Sequence, residues 1–571
     1  MGKIIVFATP VFFLLIALEY AWGRATGRNP YRLNDAVNSI SLGALSQLSG
    51  VFLKVFSIGI YTAIYSSVAL FPDAAFWNTW YGWLTALVFY DFCYYWLHRL
   101  GHESAVLWAA HVVHHQSQDY NLSTALRQTS SGALLGWIFY VPMAVAGVPP
   151  LVFGIVALID LLYQYWIHTE LVPRLGWFDR VFASPSNHRV HHAVNDAYLD
   201  RNYGGILILW DRLFGSFKEE DEKCVYGTRS PLNSWDPLWA NAEVYWGLFK
   251  DSWHAQSWAD KLRVWIKPPG WRPADVAARF PKPAFDIAQV QTFHPPMSRA
   301  VTAFGVLQFV ALLMGVSLFL WFSDELPLAR AAVWLGVLAA GFWAVGAVMQ
   351  GRLTVLEMLL VDAAALSTAT SAEGWVALHQ VFKPLALSIA IVFVALRDRG
   401  TRTSGRFDAF LLAALVCSLA GDVFLMFEGF FIPGLVAFLL AHLGYIALFK
   451  QGLPWFPSRR ALAATLLYGA AMYAFLWTHG LPDALRGPVA AYVLVIALMG
   501  AQALGRAAVL RNPHATAVAA GALCFMLSDS LLALNRFVQP LPLAPLWVLG
   551  SYYVAQILIA RHARPQTAPL P

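Results

Sequence analysis

At 571 residues the chain is too long for one ordinary domain, and 58% of it is hydrophobic while only 13% is charged, about half the charged share of a soluble globular protein. Repeated apolar runs near the ~20 residues of a membrane-spanning helix explain the excess. A net charge of +6 is too modest to indicate a nucleic-acid partner, and it fits a bias of Lys and Arg toward one membrane face. Cys93, Cys224, Cys417 and Cys524 form no CxxC pair, so no disulfide framework is expected.

The first run, "IIVFATPVFFLLIALEYAW", has no clear small-residue cleavage site and predicts a retained anchor helix. Apolar runs follow near 41–70, 80–97 and 132–168, the last broken at Gly147–Pro150 into a helical hairpin. From Leu171 to Arg299 the text turns polar, carries 16 of the 39 Lys and Arg residues, and holds no window of spanning length. The positive-inside rule puts this section, and the histidines beside it, on the cytoplasmic face of a bacterial inner membrane or endoplasmic reticulum. The Pro-rich stretch 267–299 reads as a linker. Beyond it lie roughly eight to ten more apolar segments of spanning length. The expected architecture is an all-α polytopic membrane protein: a histidine-bearing domain at 1–266 with a cytosolic cap, the linker, and a helical bundle at 300–565.

Nine of the 16 histidines fall between His98 and His192. Three clusters stand out: His98 and His102 in "WLHRLGH", His111, His114 and His115 in "HVVHH", and His188, His191 and His192 in "HRVHH". Residues at i, i+3 and i+4 share one helix face, so each cluster aims its imidazoles at one point. His168 ends the run "LLYQYWIHTE", with Gln164 one turn earlier. Imidazole binds several first-row metals, so the residues alone leave the metal open. Their number exceeds the four ligands of one tetrahedral zinc and suffices for two ions with open positions. No CxxC, HExxH or Walker pattern competes for the region.

The pattern HxxxH, HxxHH, HxxHH over about 80–230 resembles the fatty acid hydroxylase/sterol desaturase superfamily. The stretches "HVVHHQSQDYNLSTALRQ", "LLYQYWIHTE" and "HRVHHAVNDAYLDRNYGGILILWDRLFGSF" make it most similar to the alkylglycerol monooxygenase branch. Asn187 departs from that pattern, where a further histidine is expected. The resemblance implies a di-iron centre held by the nine histidines. It also implies dioxygen and a tetrahydrobiopterin-like electron donor as co-substrates, and an alkylglycerol ether lipid cleaved to a fatty aldehyde. Glu103 and Glu170, beside the boxes, are candidate catalytic carboxylates that orient imidazole N–H groups, and Asp91 is a weaker one. The aromatic stretch "FYDFCYYWLH" reads as core and interface belt.

In the second block the informative residues are charges within apolar text: Asp422 and Glu428 in "SLAGDVFLMFEGFF", Asp529 and Arg536 in "LSDSLLALNRF", Lys383 and His442. Ionisable residues in a span face the bundle interior and mark function. Two such aspartates can act as an acid/base pair, or an aspartate can simply pair with Lys383 or Arg536. "FKPLALS", "AGDVFLMF", "FLLAHLGYIALF", "LSDSLLALNRF" and "YYVAQILIA" over 300–562 together resemble the lysoplasmalogenase (YhhN-like) family. That implies vinyl-ether hydrolysis of a lysoplasmalogen, with Asp422 and Asp529 as acid and base and Lys383 and His442 in the pocket. Other readings stay open: a di-iron hydroxylase or desaturase acting on a sterol, fatty acid or carotenoid, and a second block that is transporter-like or non-catalytic.

Overall fold

The computed structural model describes residues 2–72, 75–397 and 404–565. Among these residues the regular elements are helical, and the only extended pairings are two isolated bridges, Phe182 to Leu207 and Ala193 to Tyr226. Eleven helices among the described residues are long and apolar enough to cross a membrane, the one open-ended arrangement that satisfies every backbone group in lipid. Contacts divide the chain into two units, Met1–Glu325 with Val345–Arg352, and Leu326–Ala344 with Leu353–Pro571.

The first unit begins with α1 (Gly2–Ala25) and α2 (Leu33–Lys54), the latter running through a π turn at Val55–Gly59 into Ile60–Val68. Helix α3 (Trp80–Glu103) carries the first histidine cluster, α4 (Ala105–His115) the second, and α5 (Leu122–Ala125) is a single turn after it. The break at Gly147–Pro150 separates α6 (Ala133–Ala146) from α7 (Pro150–Trp166). Gly147 ends α6 at φ 94°, a conformation open to glycine, and its missing Cβ would meet the Phe71 carbonyl at 2.6 Å. Pro150 then opens α7 where its absent N–H costs nothing. The polar section builds the cap from short helices: α8 (Pro185–His192) with the third cluster, α9 (Leu209–Leu213), α10 (Pro237–His254), α11 (Trp258–Ile266) and α12 (Ala274–Arg279).

The expected linker at 267–299 is not a free tether. The Lys267 carbonyl accepts the Ala105 N–H at 2.9 Å. Gln118 donates to the Gln291 carbonyl at 3.0 Å and accepts from the Phe293 N–H at 2.8 Å, and Arg32 donates to the Phe293 carbonyl at 2.9 Å. Apart from α12 and a 3-10 turn at Ile287–Gln289 the Pro-rich segment forms no regular element, and contacts from Ala105, Gln118 and Arg32 satisfy part of its backbone. Helix α13 (Arg299–Phe322), expected to open the second block, packs on α1 so closely that a Cβ on Gly2 would meet the Leu320 carbonyl at 2.2 Å. The first unit accordingly reaches Glu325 rather than stopping at 266.

Helix α14 (Leu328–Met349) carries the division between units. The second unit continues with α15 (Val355–Ala372), α16 (Val376–Leu396), α17 (Ser404–Leu425), α18 (Phe431–Lys450), α19 (Arg459–Thr478), α20 (Asp483–Leu510), α21 (Pro513–Phe537) and α22 (Ala544–His562). Most successive helices of this unit pack on each other, α18 packs on α20 rather than on α19, and α22 returns against α15, around a core rich in alanine, including Ala386, Ala414, Ala441, Ala503, Ala522 and Ala555. Small residues let helix backbones approach where lipid removes the hydrophobic drive between helices. At one end Arg397 donates to the Ala560 and Ala563 carbonyls, and Arg506 to those of Phe449, Gln451 and Arg564. Glu428 does not lie within a span as expected; it is exposed in the turn between α17 and α18, where Gly429 takes φ 83°.

Candidate metal centre and acid-lined cavity

The three clusters and His168 converge into two groups. His98, His102, His111, His115 and His191 form one, and His114, His168, His188 and His192 the other; within each, the candidate ligand atoms lie within 4.8 Å of one another. The hydrogen bonds fix which nitrogen points inward. His98 Nδ1 donates to the Tyr203 carbonyl at 2.7 Å, His114 Nδ1 to that of Arg127 at 2.9 Å, His168 Nδ1 to that of Gln164 at 2.7 Å, and His191 Nδ1 to that of Arg201 at 3.0 Å. A carbonyl only accepts, so Nδ1 holds the proton and Nε2 is a bare lone pair. Yet His168 Nε2 lies 3.1 Å from the Nε2 atoms of both His114 and His188, and His111 Nε2 lies 3.1 Å from those of His98 and His115.

In the His114–His168 contact both Nε2 atoms are lone pairs, which repel unless a cation sits between them. Nitrogens bound at ~2.1 Å to one ion at right angles lie roughly 3 Å apart, the separation seen here. The Nε2 atoms of His102, His191 and His192 are buried without a hydrogen-bond partner among the described residues, which suits a metal-ligand atom better than an ordinary buried polar group. Burial holds the imidazoles of His111, His115, His168, His188, His191 and His192 well below the usual histidine range, and that of His114 down to about 4. Neutral imidazole is the form that binds metal. Both donor sets fit first-row metal ions, and together they are consistent with a di-iron centre.

Buried polar residues hold this geometry. Arg127, 1% exposed, donates to the Val113 carbonyl at 2.7 Å and to Asn38 Oδ1 at 2.8 Å while its own carbonyl receives His114. Asn121 caps α5 with a reciprocal box to Thr124. The segment after the second box thus folds back to support it. Arg189 is bidentate on Glu220, both contacts at 2.7 Å, and donates to the Thr169 and Val172 carbonyls, which fixes α8. Asp211 accepts from the Tyr203 and Gly204 N–H groups at 2.8 Å each, fixing the carbonyl that receives His98.

The carboxylates singled out beside the boxes sit elsewhere. Glu103 pairs with Arg99 at 2.9 Å, and Glu170 is an exposed residue beside Tyr226. Neither contacts a histidine, because adjacency in the chain turns the side chain to another face of its element. Asp91 accepts from the Ile206 and Leu207 N–H groups and the Trp210 indole. It therefore pins the loop that carries Tyr203 rather than an imidazole. The acid that approaches the centre is Asp200, whose Oδ1 lies 3.7 Å from His102 Nδ1; at φ 56° in the cap loop it gave no sequence signal. Asn187 is engaged with the Asp179 and Phe182 carbonyls.

A cavity of about 450 Å³ opens onto both histidine groups at His98, His111, His114 and His168. Apolar side chains of α1, α2, α7 and α13 wall it, and a few polar groups (Gln47, Gln128, Asp160 and Gln164 among them) interrupt that wall. Gln164 accepts from the Tyr94 hydroxyl at 2.7 Å and donates to Asp160 at 2.6 Å. This is the composition of a pocket for a long apolar ligand with a small polar part.

In the second unit a separate cavity of about 230 Å³ is lined by Lys383, Asp422, Asp529 and Arg536 among apolar residues. Asp422 accepts from the Tyr552 hydroxyl at 2.6 Å and lies 3.4 Å from Lys383 Nζ, the ion pair weighed from sequence. Asp529 accepts a short hydrogen bond from Tyr492, whose oxygen is 2.9 Å from His442 Nε2. The structure thus brings together both aspartates and Lys383 on one cavity, with His442 behind Tyr492. Tyr492 and Tyr552 escaped sequence reading because a tyrosine in an apolar helix looks like core.

The fatty acid hydroxylase family matches residues 83–216, which contain all nine histidines, and the YhhN family matches residues 378–563. Alkylglycerol monooxygenase of Homo sapiens is 41% identical over 268 residues, 47% of this chain and 59% of that protein. Its counterpart in Xenopus tropicalis is 38% identical over 310 residues, 54% of this chain and 68% of that protein. A Homo sapiens lysoplasmalogenase is 35% identical over 166 residues, 29% of this chain and 68% of that protein. The chain therefore spans less than two thirds of the human monooxygenase it resembles. No solved structure matches it.

Proposed function

Because the chain belongs to the fatty acid hydroxylase/sterol desaturase superfamily, with an alkylglycerol monooxygenase-like region fused to a YhhN-like region, we propose that it cleaves ether lipids by two routes. The first rests on two converging groups of buried histidines, with the Nε2 of His98, His114, His168 and His191 left as lone pairs, beside an apolar cavity. His98, His102, His111, His115 and His191 would hold one iron ion, and His114, His168, His188 and His192 the other. The two ions would supply the dioxygen chemistry needed to oxidise a C–H bond, with electrons from a tetrahydropterin. The chain's own residues do the rest. Apolar side chains hold the alkyl tail and keep water out, while Gln128, Gln164 and Asp160 give the glycerol end polar contacts. Hydroxylation beside the ether oxygen leaves a hemiacetal, which collapses to a fatty aldehyde and a glycerol hydroxyl. The Lys and Arg content of the cap supports a cytoplasmic face for this site.

The second route is hydrolysis of a vinyl ether. Asp422, which lies 3.4 Å from Lys383 Nζ and accepts from the Tyr552 hydroxyl, acts as the base. Asp529, which accepts from the Tyr492 hydroxyl and faces His442 Nε2 at 3.6 Å, acts as the acid. That proton goes to the outer vinyl carbon as the double bond's electrons form the new C–H bond. Water, losing a proton to Asp422, adds to the carbon next to oxygen. The resulting hemiacetal releases a fatty aldehyde and the chain-free glycerophospho headgroup, whose sn-1 hydroxyl is restored.

Purified full-length protein, given an alkylglycerol with and without tetrahydropterin, is expected to release trapped aldehyde only with the pterin. Turnover of a sterol, fatty acid or carotenoid and none of the alkylglycerol would overturn the first route. Asp422→Asn and Asp529→Asn are each expected to slow lysoplasmalogen hydrolysis by roughly a hundredfold or more, the scale of a lost general acid or base. Unchanged hydrolysis in both would overturn the second.

A further inference from the structure

The cavity of the second unit has four charged residues in its lining, and three of them are mutually engaged or used. Lys383 is paired with Asp422, and Asp529 with Tyr492. Arg536 is the remaining one. It is exposed in the last turn of α21, its guanidinium stacks 4.2 Å over the Phe431 ring, and it has no carboxylate partner among the described residues. Its neighbour at the same end of the bundle, Arg486, is by contrast paired with Asp483 at 2.7 Å. Stacking holds a planar guanidinium by its face and leaves the N–H edge free, the edge that grips phosphate with two parallel bonds. The carbonyl end of α21 disfavours an anion, but its half charge is outweighed by the full charge of the arginine.

The spacing is informative. Asp529 and Arg536 are seven residues apart, which puts them on one face of α21 and roughly 10 Å apart along its axis. In a glycerol lysophospholipid five bonds separate the sn-1 ether oxygen from phosphorus, an extended span of roughly 6 Å at ~1.5 Å per bond. A hydrogen-bond length of ~3 Å at each end brings that span within reach of the pair. Between them the wall is apolar, supplied by Leu532, Ala533 and Phe431.

We propose that Arg536 is an anion subsite at the cavity mouth that binds the phosphate of a lysophospholipid headgroup and so sets the sn-1 vinyl ether against Asp529. This deepens the vinyl-ether reading and rests on it for the reaction, though not for the binding. Arg536 is a positioning residue. It distinguishes a phosphate-bearing substrate from a neutral alkenylglycerol with the same chain.

The test uses the full chain in detergent micelles. Initial rates are measured for a lysoplasmalogen with a phosphoethanolamine headgroup and for the matching 1-alkenylglycerol, in wild type, Arg536→Gln and Arg536→Lys. The glutamine variant is expected to raise KM for the phosphate-bearing substrate by about tenfold or more, the scale of one charge-assisted contact. Its kcat, and both constants for alkenylglycerol, should stay unchanged, and the lysine variant should recover part of the loss. Equal effects on both substrates, or no effect on either, would overturn the subsite. A second arm measures binding of a saturated ether lysophospholipid, which cannot be hydrolysed at that bond, against its phosphate-free analogue. If wild type hydrolyses nothing but binds the phosphate-bearing lipid through Arg536, the hydrolase reading fails and the subsite stands. Competition by inorganic phosphate as strong as by the lysophospholipid would assign the site to the free ion and overturn the headgroup proposal.

Discussion

Replacing His168 by alanine tests the division of the histidines into five and four. His168 Nε2 touches the Nε2 atoms of His114 and His188 at 3.1 Å each, so it is the central atom of its group. Its loss leaves three ligands there and all five in the other group. Four-ligand metal sites in small folds contribute roughly 10–16 kcal/mol, or about 3 kcal/mol per ligand. At 1.4 kcal/mol per factor of ten that is on the order of a hundredfold in affinity for one ion. Elemental analysis after dialysis against a weak chelator should find the metal content falling from about two ions to about one per chain, for a pair of sites with separate ligand sets. The counterpart is His102→Ala. It takes one ligand from the group of five, leaves four, and should keep close to the wild-type content. If the two variants retain metal equally, or His168→Ala loses both ions while remaining monodisperse, the five-and-four division is wrong.

The buried imidazoles titrate below their ordinary range in the folded chain, His114 at about 4. The unfolded chain therefore binds more protons once pH drops below about 6.5, and stability and metal retention are lost as pH falls from there; metal release measured from pH 7 to 4 should rise, and a flat profile would contradict the burial argument. Arg127→Met removes two strong donors to Val113 and Asn38 and should cost about 2–3 kcal/mol after the desolvation of the guanidinium is credited; a lower thermal midpoint with weaker metal retention is expected, and an unchanged one would show the arginine to be dispensable. Asp91→Asn places an amide where three donors point and should weaken metal retention through the Tyr203 loop, with faster proteolysis within residues 203–213 as the measurement. Tyr552→Phe removes the 2.6 Å bond to Asp422 and should lower lysoplasmalogen turnover by about tenfold, the value of one hydrogen bond to a charged group.

The histidine clusters were legible because helical spacing alone brings i, i+3 and i+4 imidazoles together. The allocation between two groups was not, since adjacent residues part company: His114 and His115 belong to different groups, as do His191 and His192. That depends on how α8 docks against α4, which no local pattern encodes. The carbonyls of Tyr203, Arg127, Gln164 and Arg201 that set the tautomers are backbone atoms, and carry no residue signature. Glu103 and Glu170 misled because nearness in sequence stood in for nearness in space, whereas Asp200 reaches His102 from the cap. In the second unit, charge within apolar text found Asp422, Asp529 and Lys383, but Glu428 shared the signal only because a turn followed closely. The Pro-rich composition of 267–299 spoke for a tether, and only the partners supplied by Gln118 and Arg32 make it part of the first unit.

The first unit is assembled from two stretches of chain, and this bears on how the protein can be taken apart. Asn34 donates to the Met349 carbonyl at 3.3 Å, and the Trp235 N–H donates to Gln350 Oε1 at 3.1 Å. A fragment ending at 266 or 299 would strip both of their partners, and would also remove α13 from α1. Buried polar groups left unmatched cost stability at each such place. A shortened histidine-bearing piece that loses its metal would then report damage at Asn34 and Trp235, not the independence or dependence of the two chemistries. Silencing one site by single substitutions in an otherwise whole chain is the dissection this topology permits.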